Sequence, residues 1–376
     1  MPHYYKDKEL LGWGPTVEEI DNLANIFNEI VHLGVLIDES APLNTLRYGA
    51  KNIKFIPLKP SGGNSIIDKF TILKYLFQYI RIISKWLQWA DFVHLRCPAN
   101  IPLIALLILS FEKKPKFRWV KYAGNWSSYP GEALSYKCQK WILKKNFLGG
   151  FVTINGDWPN QESHIFSFKN PSLTEKDVEN GKIIARQKEL NFPIKIIFVG
   201  RVESAKGVGR ILQIAKNLKE AGLAFTIEII GDGEEKVTFQ KMAENMYLTN
   251  QVLFLGWLSK EELASYYKEA QIILFPSSAS EGWPKVLSEA MAYGVVPIAS
   301  RISSIPQILA KYNAGIAVPV DHLDDYVKAI LNLSENPKEW KKMSLAGAEA
   351  SYNFSYPYYL KSVKRTFENY YQVDFE

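Results

Sequence analysis

The run Glu281-Gly-Trp-Pro-Lys-Val-Leu-Ser-Glu289-Ala-Met-Ala-Tyr-Gly294-Val-Val-Pro-Ile-Ala-Ser300 decides how the rest of the chain is read. A short β-prone apolar run, Ile272 to Phe275, precedes it and ends in Pro276 and a Ser/Ala loop; a second, Val295 to Ala299, follows. One helix lies between them. Pro284 suits the first helical position, where its missing N–H has no intrahelical partner to lose, and Gly294 suits a left-handed stop. Leu287, Ala290, Met291 and Gly294 then share one face at i, i+3, i+4, i+7, which puts Glu289 on the opposite side. Taken alone, these two carboxylates are a loop acid and a solvated helical face. The string between them argues for more. Gly282, Trp283 and Pro284 make a tight aromatic turn at a helix N-terminus, where free N–H groups and the helix dipole favour an anion.

Working outward, strand-prone runs recur near 194, 225, 252, 272, 295 and 316 with helical stretches between, the pattern of a parallel sheet covered on both faces. The first, Ile194 to Gly200, opens into Gly200-Arg201-Val-Glu203-Ser-Ala-Lys206-Gly207 and then a helix carrying Val208, Ile211, Leu212 and Ala215. Arg201 and Lys206 at the carboxyl end of a strand, beside a helix N-terminus, can converge on a pyrophosphate; in isolation such a pair is surface charge. Ile229-Ile-Gly231-Asp-Gly233 is a second strand-to-glycine turn. Phe254-Leu-Gly256-Trp257-Leu258 reads first as an ordinary buried strand end.

Glu281 to Gly294 resembles the hallmark of the group 1 family of nucleotide-sugar-dependent glycosyltransferases, mostly retaining and of the GT-B fold: Glu-Gly-Phe-Pro-x-Val-Leu-x-Glu-Ala-Met-Ala-x-Gly. Gly200 to Gly207 resembles the same family's Gly-Arg-x-x-x-x-Lys-Gly signature. The resemblance implies an α/β chain of two Rossmann-like domains with parallel sheets facing across a cleft. Its divisions would be 1–180 for the acceptor side, 181–355 for the nucleotide sugar, and a last helix, 356–376, crossing back to the first domain. It also implies roles. Glu289 would hydrogen-bond the donor ribose, Glu281 would contact the transferred sugar, and Arg201 and Lys206 would hold the diphosphate. Val286 and Leu287 would offer backbone N–H groups to phosphate, with Gly282, Trp283, Pro284 and Gly231 around them, and Trp257 and Leu258 would lie at the base. No cofactor or metal is expected: the nucleotide diphosphate sugar is the substrate, and no paired-aspartate motif is present to hold Mg²⁺.

The remainder of the chain bounds this picture. At 376 residues and 47% hydrophobic it suits two globular domains. Cys97 and Cys138 lack metal-ligand spacing and read as reduced thiols of a cytosolic protein. The first residues, Met-Pro-His-Tyr-Tyr-Lys-Asp-Lys, do not read as a signal peptide, and the apolar run Ile101 to Leu109 falls short of the ~20 residues a bilayer needs. Charge is uneven: 23 Lys/Arg against 17 Asp/Glu through Lys182, then 22 against 22. Between Lys113 and Lys145 stand nine cations and Glu132, interleaved with Trp119, Tyr122, Trp126, Tyr129, Tyr136 and Trp141. Nucleic-acid binding is one reading of such interleaving, but no recognition motif accompanies it. An anionic membrane surface or an acidic acceptor fits better, and a merely solvated basic face stays open.

In the first half Thr16 is expected to cap a helix reaching Ile30, with Val17, Ile20, Leu23, Ala24 and Phe27 on one stripe, and Ile30 to Ile37 to form a strand. No strand is expected before Gly12 and Gly14, which match the family's glycine loop in kind. Strands follow at Ile53 to Leu58, Asp91 to Cys97, Arg118 to Ala123 and Phe151 to Ile154. A Pro60-Ser-Gly-Gly63-Asn turn and helices at Ile66 to Trp89 and Asn100 to Leu109 lie among them. His94 resembles a cleft-facing strand end, though alone it reads as packed core. The family's usual cleft histidine has no counterpart at Ala123 or Gly124, which leaves Asn125 and Trp126 as acceptor-side candidates beside Gly12, Gly14 and His94. Ser172 to Asn191 reads as a surface connection, and Tyr358 to Tyr371 as an aromatic helix.

The function expected is sugar transfer, with retention, from a nucleotide diphosphate to a saccharide or lipid-linked saccharide hydroxyl, in cell-envelope or polysaccharide assembly. The expected place is the cytoplasm, with peripheral attachment at the inner face of the membrane and no nucleic-acid partner. A catalytically silent GT-B nucleotide-sugar binder is the alternative class. A GT-B epimerase or phosphorylase fits less well, because neither carries the two-glutamate stretch.

Overall fold

The computed structural model describes residues 2–7, 9–61 and 66–375. It divides into two compact units, Met1–Phe168 with Leu360–Glu376, and Lys169–Tyr359. The sequence reading places these divisions at 180/181 and 355/356.

In the first unit, β1 (Pro2–Lys6), β2 (Glu9–Trp13), β3 (Ile30–Leu36), β4 (Thr45–Arg47) and β5 (Ile53–Leu58) form one sheet in the order β4-β2-β1-β3-β5. A second sheet, ordered β6-β7-β8-β9, is parallel throughout and comprises β6 (Phe92–Cys97), β7 (Phe117–Tyr122), β8 (Phe151–Asn155) and β9 (Ile165–Phe168). The stretch expected to lack a strand therefore holds two. β1 pairs in parallel with β3 and folds back antiparallel onto β2, so Gly12 is a strand residue and not part of a loop. The polar Pro-His-Tyr-Tyr-Lys of β1 hides this pairing: only His3 and Tyr4 are buried.

The first helix is also shorter than expected, Gly14–Leu23, with Pro15 in its first turn and Thr16 buried rather than capping. Asn52 explains the early stop. Its Nδ2 donates to the carbonyls of Ala24 at 2.9 Å and Phe27 at 2.8 Å, drawing the chain out of the helical path beyond Leu23. The helices Ile66–Trp89 and Asn100–Leu109 stand where the periodicity puts them; residues 62–64 of the expected Pro60-Ser-Gly-Gly63-Asn turn lie outside the described residues.

Three of the nine cations between Lys113 and Lys145 are interior. Arg118 donates to four carbonyls, those of Pro115, Leu109, Leu148 and Glu112, at 2.5–2.8 Å. Lys140 pairs with Glu132 at 2.5 Å. Lys121 pairs with Glu19 at 2.6 Å, and the other Glu19 oxygen takes Arg96 at 2.8 Å. Arg96 and Lys121 are register partners on β6 and β7, so the Glu19 carboxylate, 1% exposed, sits over two neighbouring cations and ties the first helix to the second sheet. Desolvated pairs hold only when intact.

The second unit is a single parallel sheet ordered β12-β11-β10-β13-β14-β15, from β10 (Ile194–Val199), β11 (Phe225–Ile230), β12 (Val252–Gly256), β13 (Ile272–Phe275), β14 (Val296–Ser300) and β15 (Ile316–Val318). The central strands β10, β13 and β14 are near-continuous apolar runs, as burial on both faces requires, whereas the edge strands β12 and β15 are partly exposed. The order reverses between β10 and β13, the switch point at which doubly wound sheets bind ligands beyond the strands' carboxyl ends.

Ser172 to Asn191 is not a loose connection. It contains the helix Glu175–Gln187, opened by a reciprocal Thr174–Asp177 capping box and held in place by small residues: a Cβ at Gly181 would strike the Ala292 carbonyl, and Ala185 is fully buried. A packing stripe made of Val178, Gly181 and Ala185 carries little hydrophobic signal, which is why the periodicity does not show it. The final helix, Tyr356–Tyr371, packs Phe367 on Phe92 and Phe117 of the first unit. There the Tyr371 hydroxyl bonds both N–H and carbonyl of Arg118.

Glu19→Leu leaves Lys121 buried without its carboxylate, so it should destabilise the first unit by about 3–5 kcal/mol in urea unfolding. Adding Lys121→Met should recover part of the loss; equal stability of Glu19→Leu and wild type would show that the pair holds nothing together.

Candidate active site

The loops after β10, β11 and β13 meet through their backbones. A Cβ at Gly231 would collide with the Gly200 carbonyl, and one at Gly233 with the Val202 carbonyl. Gly231 also has φ 137°, open to glycine alone, and its N–H donates to Gly256 at 2.7 Å, bringing the end of β12 alongside. Gly207, at φ 88°, lies against the Pro276 carbonyl in the same way. Ala205 completes the join: its carbonyl accepts from Ser278 N–H at 2.9 Å and from the hydroxyls of Ser277 and Ser278.

This join brings Lys206 into contact with Glu281, two residues 75 positions apart that the sequence reading assigns to one site. Lys206 is 14% exposed. Burial pushes its ammonium down to about 8, with Glu203 opposing and Arg201 adding to the fall. Arg201 is close enough to act on Lys206 through its charge, yet it projects outward, 75% exposed, held by Glu203 at 3.1 Å. Glu203 and Glu235, which bonds the N–H and hydroxyl of Ser204, are loop-shaping carboxylates that nothing in the sequence pattern singles out.

Glu281 leads into the helix Lys285–Ala292, whose N-terminus lies at the carboxyl end of the sheet. Pro284 is the capping residue, one position before the expected one, and Gly294 stops the helix at φ 71° as expected. The Gly282 carbonyl accepts from the hydroxyls of Ser303 at 3.0 Å and Ser304 at 2.6 Å, which pins the turn from the β14 side. Trp283 faces inward. It is 3% exposed, stacks on Phe354 with centroids 5.2 Å apart, and its carbonyl takes Asn170 Nδ2 at 3.3 Å. Leu287 is buried, and its N–H goes to the Pro284 carbonyl at 3.2 Å. Glu289 lies off the buried face, as the periodicity requires, with one oxygen accepting from the Tyr267 hydroxyl at 3.3 Å. Trp257 and Leu258 follow directly on β12, Trp257 half-exposed.

The acceptor-side candidates are all engaged in the first unit. Gly12 lies against the His3 ring, and Gly14 begins the first helix with its N–H on Asn44. His94 stacks on Trp119 with centroids 3.8 Å apart, and burial pushes its imidazole down to about 3, so it is neutral. Asn125 makes an Asx turn to the Ser127 N–H, and Trp126 is core, edge-on to Tyr122.

A partly buried lysine, a carboxylate and a helix N-terminus are thus gathered at the switch point of a doubly wound sheet. Residues 181–350 match the family model described as glycosyl transferases group 1. It is similar to the amylovoran biosynthesis glycosyltransferase AmsK of Erwinia amylovora, 28% identical over 181 residues that make up 46% of this chain and 44% of the relative. The chain spans about half or less of the length of the curated relatives it matches. Among solved structures it is similar to sucrose-phosphate synthase from Thermosynechococcus elongatus, at TM-score 0.73 and 15% identity, with 94% of this chain and 92% of that one covered. The Anabaena protein HepE, solved with UDP and glucose, matches at TM-score 0.65 and 13% identity, over 95% and 96%. At these identities the likeness is one of fold, and the fold is GT-B.

Because Trp283 is a packing residue, Trp283→Ala should cost the second unit about 3–5 kcal/mol, read by chemical unfolding. Trp283→Phe, which keeps a ring against Phe354, should cost much less; equal losses would mean that the stack is not what holds the turn.

Proposed function

We propose that the chain is a transferase that moves a sugar from a nucleotide diphosphate to a hydroxyl acceptor, with retention and without a metal, in polysaccharide or cell-envelope assembly. The observation that carries the reading is the Lys206–Glu281 contact at the mouth of β10 and β13. The match of residues 181–350 to the group 1 family model, a polysaccharide-assembly relative and a UDP-bearing structural neighbour support it.

The chemistry follows from charge. When the sugar C1–O bond breaks, its electron pair goes to the departing nucleoside diphosphate. A cation already placed there stabilises that growing charge more than it stabilises the bound donor. Lys206, fixed between two loops, takes this part, and Arg201 swings in from its exposed position. A diphosphate competes with Glu281 for Lys206, which frees the Glu281 carboxylate for the transferred sugar. The acceptor oxygen attacks C1 from the face the diphosphate leaves, and its proton passes to the departing phosphate oxygen. Glu289 holds the ribose, Val286 and the Gly282 turn face the phosphates, Trp257 and Leu258 the base, and unit 1 recognises a saccharide or lipid-linked acceptor.

Lys206→Ala should lower turnover by roughly 10²- to 10³-fold and weaken nucleoside diphosphate binding, whereas Glu281→Gln should lower transfer while diphosphate affinity holds or rises. The Lys206 charge is present below its pKa and lost as pH rises through about 8, so wild-type diphosphate affinity should fall above that pH and Lys206→Arg should hold it. A side-by-side assay of affinity and transfer, with EDTA present, decides. Unimpaired Lys206→Ala, or a wild type that needs added Mg²⁺, would overturn the mechanism; binding without turnover on any acceptor would leave the silent binder.

The reading also places the protein in the cytoplasm against the inner face of the membrane. Leu73, Phe77 and Ile80 stand exposed at i, i+4, i+7 on the helix Ile66–Trp89, Phe77 being 84% exposed, with Lys74, Arg81 and Lys85 on the adjoining stripe. Lys113, Lys114 and Lys116 follow the 91%-exposed Phe111. Exposed apolar residues flanked by cations suit an anionic lipid surface. Among the described residues no helix is long and apolar enough to cross a membrane. Sedimentation with phosphatidylglycerol vesicles should show salt-sensitive binding that Leu73→Ser/Phe77→Ser weakens; binding indifferent to salt, or none, removes the idea.

A further inference from the structure

Glu289 has a buried donor against it. Tyr267, in the last turn of the helix Lys260–Glu269, is 3% exposed, and its hydroxyl donates to Glu289 Oε2 at 3.3 Å. The phenol is itself fixed from two sides. Its ring stacks on Tyr293, centroids 5.9 Å apart and planes 15° from parallel. Behind it the buried Lys188 Nζ donates to the Tyr267 carbonyl at 2.6 Å and the Ala270 carbonyl at 2.7 Å, closing the helix C-terminus. Burial, and then the Glu289 charge, raise the Tyr267 pKa well above its ordinary value, so the group stays protonated and donates.

We propose that Tyr267 is a positioning residue for Glu289, fixing the rotamer from which the Glu289 carboxylate meets the ribose hydroxyls of the donor nucleotide. A glutamate free to rotate loses side-chain entropy when it binds; one already held by a buried hydroxyl has lost it on folding. The proposal rests on the reading of Glu289 as the ribose ligand, and ribose discrimination separates the two.

The test measures dissociation constants of wild type, Tyr267→Phe and Glu289→Gln for UDP, GDP and ADP and for their 2′-deoxy counterparts. Wild type should prefer the ribonucleotide. Tyr267→Phe keeps the ring and its stack, so its melting temperature should stay within a few degrees of wild type. Its preference for ribose should fall about three- to tenfold, through weaker ribonucleotide binding alone, the loss expected for one hydrogen bond. Tyr293→Phe, which leaves the Tyr267 hydroxyl in place, should keep the wild-type ratio. A merely structural Tyr267 would weaken both nucleotides equally, or lower the melting temperature with the ratio unchanged, and either result overturns the proposal. If Glu289→Gln abolishes the preference while Tyr267→Phe retains it, the positioning role alone fails. If Glu289→Gln itself keeps the preference, the ribose assignment fails and the proposal with it.

Discussion

Everything at the candidate site depends on how closely the strand-end loops of the second unit approach one another. Gly231 against the Gly200 carbonyl and Gly207 against the Pro276 carbonyl are contacts that any side chain would prevent. Because main chain meets main chain, three loops far apart in sequence become one surface with little freedom to shift. Lys206 and Glu281 then touch because the loops that carry them are packed together. That rigidity is what a preorganised site requires, since donors that must move to meet a developing charge lose part of their advantage.

The same surface assigns different work to residues that look alike in the sequence. Trp283, in the middle of the motif, is a core residue stacked on Phe354, so the aromatic turn is held from behind. Ser303 and Ser304 pin it from the side through the Gly282 carbonyl. Of the two cations after β10, Lys206 is drawn into the join while Arg201 stays outside with Glu203. One lies between packed loops and the other is on the surface.

In the first unit the excess of positive charge separates into two populations. Arg118, Lys121 and Lys140 are interior and satisfied by carbonyls or carboxylates. Lys113, Lys114, Lys116, Lys137, Lys144 and Lys145 are exposed. Counting charge along the sequence merges the two groups, although only the second contributes to a surface field.

Local sequence signals account for the sheet of the second unit: six strand runs, helix periodicity between them, and acids and cations at strand ends point to a parallel sheet covered on both faces. Those signals are local, set by the chemistry of neighbouring residues, and so they can be read without coordinates. Long-range packing fixes the rest. β1 exists because β3 and β2 flank it, Asn52 takes the carbonyls of Ala24 and Phe27 just beyond the first helix, and the helix Glu175–Gln187 is fixed by glycine and alanine against Ala292. Tyr267 reaches Glu289, and Glu19 reaches Lys121, across 22 and 102 positions of chain. Partners that far apart leave no periodic trace in the sequence; packing alone brings them together.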